Sequence, residues 1–366
     1  MATIAILGCG YGGSAAAITL AKRSDHQIVL IDQNPFHFLQ ANLHNFLACD
    51  IATESVIAPL NSFAKRLGSR VRFVCARAAA IDEESRVLHT TSGEAIAFDA
   101  LIIASGATTY FPDSIKQLRE YARDIKGFRG ALRVRQAFES LLFVRGRGHI
   151  VVGGAGLSGV EIAAEMASQI RAFGASQIKI TLVELKPTIL PEMDEYLINE
   201  ATVRLAALGV KVICGEAIKE AGADSVVLEN LGSFACDLFV FTGGILARNI
   251  VSRERIAVEK SLQTHEGSPI FAIGDVANLF DANGKRLPAT SQTAKQSGVH
   301  AAKNAIALLA NRPLTPFHGS NKGVMVALGK RNAAGVMFKS FRVRGAIGGL
   351  IKSAILWLHK RSITGF

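Results

Sequence analysis

Cysteine is scarce and wrongly spaced for chemistry. The five that occur, Cys9, Cys49, Cys75, Cys214 and Cys236, form neither a CxxC nor a CxxxxC pair. That argues against a disulfide framework or a cysteine zinc site, and it fits a reducing, cytoplasmic setting. Charge is thin too, at 19% of residues against 49% hydrophobic, which argues against disorder in a chain of 366 residues with room for two or three cores. A secretory signal is not expected, because no basic segment precedes the first apolar stretch and no small-residue cleavage site ends it. That stretch, Ile4 to Ala21, is long enough for a membrane span. Its three glycines at dinucleotide-fingerprint spacing favour a soluble strand, turn and helix instead.

Acidic residues run out early. From the last of them, Asp281, to Phe366 there are fourteen Lys or Arg and no Asp or Glu, while the remainder holds 27 basic against 30 acidic residues. The net charge of +11 therefore belongs to the C-terminal part. Such a stretch faces nucleic acid, anionic lipid or an acidic protein, or is simply a solvated face.

What the chain does contain is one motif written twice. "TIAIL" runs into Gly8, Gly10 and Gly13, then the helical "SAAAITLAKR", then "HQIVLID" ending at Asp32. The first glycine permits a tight turn, the second lets backbone approach a pyrophosphate and the third lets helix pack on strand. The helix N-terminus stabilises phosphate charge, and Asp32 stands where it can accept from a ribose diol. The second copy is "GHIVVGG" with Gly154, Gly156 and Gly159, the helical "VEIAAEMASQIRAF", and "QIKITLVE" ending at Glu184. A carboxylate at that point accepts from a 2′-hydroxyl and repels a 2′-phosphate, so NADH is expected over NADPH.

A third element assigns the two sites. "GSPIFAIGDVANL" places Gly274 and Asp275 after a short apolar strand, and "FDALIIASGA" with Gly106 and "CDLFVFTGG" with Gly243 repeat an acid before an apolar strand ending at small residues. In this order the motifs resemble the flavoproteins that bind FAD and a nicotinamide dinucleotide. The resemblance covers about residues 1 to 310 and implies that the first fingerprint and Asp275 hold FAD, while the second binds NADH. It also implies an α/β fold of two Rossmann-type domains, glutathione-reductase-like. The FAD domain would be split (1–112 and 253–312), the NADH domain inserted (113–252), and a small C-terminal region would follow (313–366).

The electron acceptor is read from what surrounds these motifs. Disulfide reductases of this superfamily need a cysteine pair beside the flavin, which is lacking, and sulfide:quinone oxidoreductases need a cysteine in the C-terminal half near the flavin, for which nothing after Cys236 can serve. "LPATSQTAKQSGVHAAKNAI" resembles the AQxxxQ segment of type II NADH:quinone oxidoreductases, with Ser291 for the alanine and Gln292 and Gln296 at matching positions. A spacing of four puts both amides on one helical face, where they donate to a quinone carbonyl without adding charge. The same resemblance matches Lys322, in "NKGVMVALGKR", to a lysine near quinone and flavin. It matches Glu161 to a carboxylate coupling nicotinamide, flavin and quinone, although an acid in a first helical turn is favoured by the helix dipole whatever its role.

The implied activity is hydride transfer from NADH to FAD and two electrons onward to a quinone, without proton pumping. At the C-terminus, Ile347, Leu350, Ile351, Ala354 and Leu358 share one face at helical spacing, with Lys352 and Ser353 opposite. From Lys339 onward there are six basic residues and no acid. An interfacial helix on an anionic, cytoplasmic membrane face is expected and no nucleic-acid partner; packing on the protein's own core or in a homodimer is the alternative. Three other functions stay open: a sulfide:quinone oxidoreductase-like enzyme, a soluble FAD reductase of a small iron–sulfur protein docked by the basic tail, and an NADH-binding signalling flavoprotein.

Overall fold

The computed structural model describes residues 1–250, 254–338 and 340–365. The expected boundary at Arg253, and Lys339 and Phe366 of the basic tail, lie outside them. The first fingerprint forms β1 (Thr3–Leu7), α1 (Tyr11–Arg23) and β2 (Gln27–Asp32). A short helix, α2 (Leu43–Leu47), precedes β3 (Val71–Cys75) and β4 (Ala100–Ile103). The second fingerprint forms β5 (Arg147–Gly153), α3 (Leu157–Ala172) and β6 (Gln177–Glu184), followed by β7 (Lys211–Cys214) and β8 (Leu238–Phe241). The chain then returns as β9 (Ile270–Ala272) and α4 (Ser291–Leu309). It closes with β10 (Gly323–Ala327), β11 (Ala333–Met337), β12 (Phe341–Val343) and α5 (Gly345–Thr364).

The strands read as unbroken apolar runs because parallel sheets are covered on both faces. Ile4, Ala5, Ile6, Leu30, Leu101 and Ile102 are all fully buried. The first sheet has the order β9–β4–β1–β2–β3 and the second β7–β6–β5–β8, with every pairing parallel. In each, the order reverses beside the first strand, between β1 and β4 and between β5 and β8. Open parallel sheets bind ligands outside the carboxyl ends of their strands at that switch point. Since β9 pairs with β4 in register Leu101↔Ile270, the first sheet is finished only after the second has been made.

The C-terminal region ties the two units together. Val326, Ala334 and Val336 of its hairpin join the core of the second unit, as do Leu43, Phe46 and Leu47 of α2, while Ile363 of α5 joins the core of the first. Gly348 and Gly349, which weaken a helix on propensity alone, let α5 lie against the carbonyls of Ala333 and Arg331, where a Cβ would collide.

Candidate functional site

Both switch points are built by glycine. Gly8 has φ of +96° and Gly154 has φ of +98°, left-handed turns that side chains rarely adopt. A Cβ on Gly8 would strike the Ala104 carbonyl just beyond β4, and one on Gly154 would come within 3.0 Å of Gly243 just beyond β8. Ala104 and Ser105, just before Gly106, thus stand across from the first fingerprint, and Gly243 across from the second. Gly13 and Gly159 let each helix close on its own turn. At Gly10 and Gly156 the reverse holds: nothing lies within 4 Å of the Cβ position, so backbone faces open space. Two such cradles, each at a helix N-terminus, fit two dinucleotides.

The strand-end carboxylates do more than the sequence suggests. Asp32 accepts from the Cys9 N–H at 2.9 Å and from the Asn34 N–H at 2.9 Å, and burial pushes its carboxyl up. Glu184 accepts from the Ala155 N–H at 2.6 Å and the Lys186 N–H at 2.9 Å. In both copies, therefore, the acid fastens the middle residue of its own glycine turn. Asp32 Oδ1 also accepts from Asn34 Nδ2 at 3.4 Å, so a lone pair is left on Asp32 Oδ2 and on each Glu184 oxygen. Gly274, at φ +67°, donates its N–H to Ser297 Oγ at 3.2 Å, and the neighbouring Asp275 lies 3.7 Å from the Lys126 ammonium. Lys126 comes from the segment before the second fingerprint and had no motif to announce it.

Gln292 and Gln296 project from one face of α4, and both reach the loop just before β10. Gln292 Oε1 accepts from the Lys322 N–H at 2.8 Å, and its amide nitrogen meets no protein acceptor among the described residues. Gln296 is used at both ends, accepting from the Ser320 N–H at 3.0 Å and donating to the Ser320 carbonyl at 2.8 Å. Lys322 takes part through its backbone and is exposed.

Glu161 is where the regions meet. Its carboxylate forms an ion pair with Lys352 of α5, accepts from the Ala327 N–H of β10 at 3.0 Å, and lies 3.6 Å from His44 Nδ1 of α2. Burial pushes this carboxyl up, but Lys352 and His44 outweigh it and hold the group below its usual range. His44 is pushed down to about 4, mainly by burial. Lys352 is the lysine brought to Glu161. Its signal was visible as the one charge within "GAIGGLIKSAILWL".

A second group lies beside the first fingerprint. Tyr11, directly after Gly10, stacks on His359 of α5 at 4.4 Å and meets His37 edge-on at 5.1 Å, with the Lys295 ammonium 5.6 Å from its ring centre. His37 Nδ1 bonds to the Cys9 carbonyl at 2.7 Å. Burial pushes His37 down to about 4, His359 to about 3 and Lys295 to about 8. Outward from this packing, Ile347, Leu350, Trp357 and Leu358 of α5 are exposed, with Phe338 and Phe341 nearby in sequence.

Comparisons with known proteins agree with this geometry. The chain is 28% identical over 365 residues to a type II NADH:quinone oxidoreductase of Staphylococcus saprophyticus, covering 92% of this chain and 89% of that one. The corresponding Staphylococcus aureus protein is also 28% identical. Among solved structures, the sulfide:quinone oxidoreductase of Aquifex aeolicus superposes with a TM-score of 0.84 at 17% identity, covering 100% of this chain and 93% of that one. NDH2 of Plasmodium falciparum, solved in complex with NADH, gives 0.84 at 16%, with 99% and 96% covered. The model of the pyridine nucleotide-disulphide oxidoreductases matches residues 2–298, so with its paired glycine crevices the chain belongs to that family.

Proposed function

We propose that this protein takes hydride from NADH and passes two electrons, by way of FAD, to a quinone in a membrane, without moving protons across it. Its cofactors are FAD and NADH. When bound, FAD supplies a two-electron store that accepts hydride and returns electrons to a second acceptor. The first crevice, with Gly8, Gly10, Gly13, Asp32, Gly106, Gly274 and Asp275, is assigned to FAD; the second, with Gly154, Gly156, Gly159, Glu184 and Gly243, to NADH. The domains are assigned as 1–112 with 253–312, 113–252, and 313–366, a division supported by the pairing of β9 with β4.

The observation that carries this reading is the Glu161 ion pair. The sequence places Glu161 in a first helical turn, but the helix starts at Leu157 and Glu161 stands in its second turn, past the reach of the helix end; there it gathers α2, β10 and α5 on the second crevice's helix. It orients the wall between the two crevices and the C-terminal region. Gln292 offers its amide N–H to a quinone carbonyl, and Gln296 braces residues 320–322 so that Lys322 stands at the mouth. Asp32 and Glu184 position the riboses, and Glu184 excludes a 2′-phosphate.

The outward apolar face of α5 would rest on the membrane's cytoplasmic side, where a lipophilic quinone is found; no described helix is long and apolar enough to cross a bilayer. Docking of an acidic iron–sulfur protein is less favoured, because Arg342, Arg344 and Lys352 already pair with Asp194, Glu200 and Glu161. A sulfide:quinone mechanism finds no cysteine after Cys236.

The test is rapid mixing of the FAD-loaded enzyme with NADH and then with a soluble quinone. Fast flavin reduction followed by fast reoxidation supports the assignment. Slow quinone turnover favours the signalling or protein-reductase alternatives. Gln292→Ala with Gln296→Ala should slow reoxidation by about tenfold or more, ~1.4 kcal/mol in the barrier, with reduction by NADH nearly unchanged. Equal slowing of both steps would make the pair structural.

A further inference from the structure

The inner face of α3 carries three polar side chains one turn apart: Glu161, Glu165 and Gln169. Neighbours at this spacing have Cβ atoms about 6 Å apart. Glu161 holds the ion pair with Lys352. Gln169, 4% exposed, donates from Nε2 to Asp50 Oδ1 at 2.8 Å and so fastens an exposed carboxylate to the far end of the row. Between them Glu165 is 1% exposed, and its Oε1 is buried with no hydrogen-bond partner among the described residues. A buried carboxyl oxygen without a partner is costly, and a helix of this sequence could carry an alanine there at no loss of propensity.

We propose that Glu165 relays a proton from solvent at Asp50 to the Glu161–Lys352 pair, and so to the quinone oxygen that needs it. This deepens the function proposed above and rests on it. NADH gives up two electrons and one proton as hydride, whereas a quinone takes two electrons and two protons, so one proton per turnover must enter from water. The O–H bond formed on Glu165 as that proton arrives breaks as it passes to Glu161, the O–H bond formed there breaks in turn as the proton bonds to the quinone oxygen, and both carboxylates return to their starting states.

The surroundings suit a group that both takes and gives a proton. Burial pushes Glu165 up to about 7, the Asp50 and Glu161 carboxylates add to this, and the Lys352 and Lys330 ammonium groups oppose it. His44, beside Glu161, is itself pushed down to about 4, mainly by burial. A relay is most effective when its proton affinity matches the working pH.

The experiment compares the full-length FAD-loaded enzyme with Glu165→Gln, Glu165→Asp and Asp50→Asn. Each, once reduced by NADH, is mixed with a soluble quinone or with ferricyanide, which takes electrons and no protons. Glu165→Gln should slow reoxidation by quinone by at least about tenfold and remove the inflection near neutral pH, while reduction by NADH and reoxidation by ferricyanide change less than about twofold. Glu165→Asp should recover part of the rate. Asp50→Asn, an exposed change that spares the fold, should slow the quinone step in the same direction. Unchanged quinone rates and pH profile in Glu165→Gln and Asp50→Asn, or parallel slowing with ferricyanide, would overturn the relay. If the unaltered enzyme is inert to quinone, the function itself fails and the relay falls with it; if it reacts rapidly and the variants match it, only the relay falls.

Discussion

Single residues in this protein hold two jobs at once. Glu184 fastens its own turn through the Ala155 and Lys186 N–H groups and, in the function proposed, also meets a ribose. Glu184→Gln keeps an acceptor oxygen and loses the charge, so the ratio of flavin reduction rates with NADH and NADPH should fall by about tenfold, ~1.4 kcal/mol. Glu184→Ala removes both acceptors and should also cost roughly 1–3 kcal/mol in thermal unfolding. An unchanged ratio in Glu184→Gln would mean that the charge does not select the nucleotide. The acid itself was legible as the end of a strand; its grip on Ala155 was not, because a backbone partner 29 residues away leaves no pattern.

Histidine makes the fold sensitive to acid. His37 and His359 sit at about 4 and about 3 against an ordinary 6.5, because burial favours their neutral forms. The stabilisation this provides is complete above pH 6.5 and is lost as pH falls through the window toward those lower values. The loss across the full window amounts to roughly 3–5 kcal/mol per histidine. Melting temperature should drop steadily below neutral pH. His359→Phe, which keeps the stacking on Tyr11, should flatten that slope; a slope identical to the unaltered protein's would show that other groups set it.

At the scale of the element, α5 inverts the usual rule. Its polar side chains Lys352 and His359 point inward, Gly348 and Gly349 touch backbone, and Ile347, Leu350, Ile355, Trp357 and Leu358 face out, while Ile363 is buried. Leu350→Lys with Leu358→Lys should therefore leave FAD bound while weakening attachment to anionic vesicles by about 3 kcal/mol or more, roughly a hundredfold in partition. Sedimentation with vesicles measures it. Unaltered vesicle binding with a change from dimer to monomer in light scattering would assign this face to a second copy of the chain. Salt should weaken attachment only modestly. Three of the six basic residues are spent on internal ion pairs and Lys339 lies outside the described residues, leaving Lys360 and Arg361, about 2 kcal/mol at roughly 1 kcal/mol each.

Across the whole molecule, the Glu161–Lys352 pair spans 191 residues and joins the second unit to the C-terminal helix. Breaking one side leaves a buried charge, so Lys352→Met should destabilise by ~3–5 kcal/mol in urea unfolding, and adding Glu161→Gln should recover much of it. Strictly additive losses would show that the pair is not coupled.

Local repetition made the two β-α-β units, their glycine turns and their terminal acids readable in sequence order. A parallel strand, a tight turn and a helix each leave their mark within some thirty residues. The spacing of Gln292 and Gln296 likewise announced a shared helical face. What folding added was partnership at a distance: Lys352 reaching Glu161, residues 320–322 taking up the glutamine oxygens, Asp50 held by Gln169, and α2 lodged in the core of the unit it does not belong to by sequence. Charge pairing and core packing depend on which surfaces meet once both sheets are complete, and residues far apart along the chain carry no periodicity that foretells it.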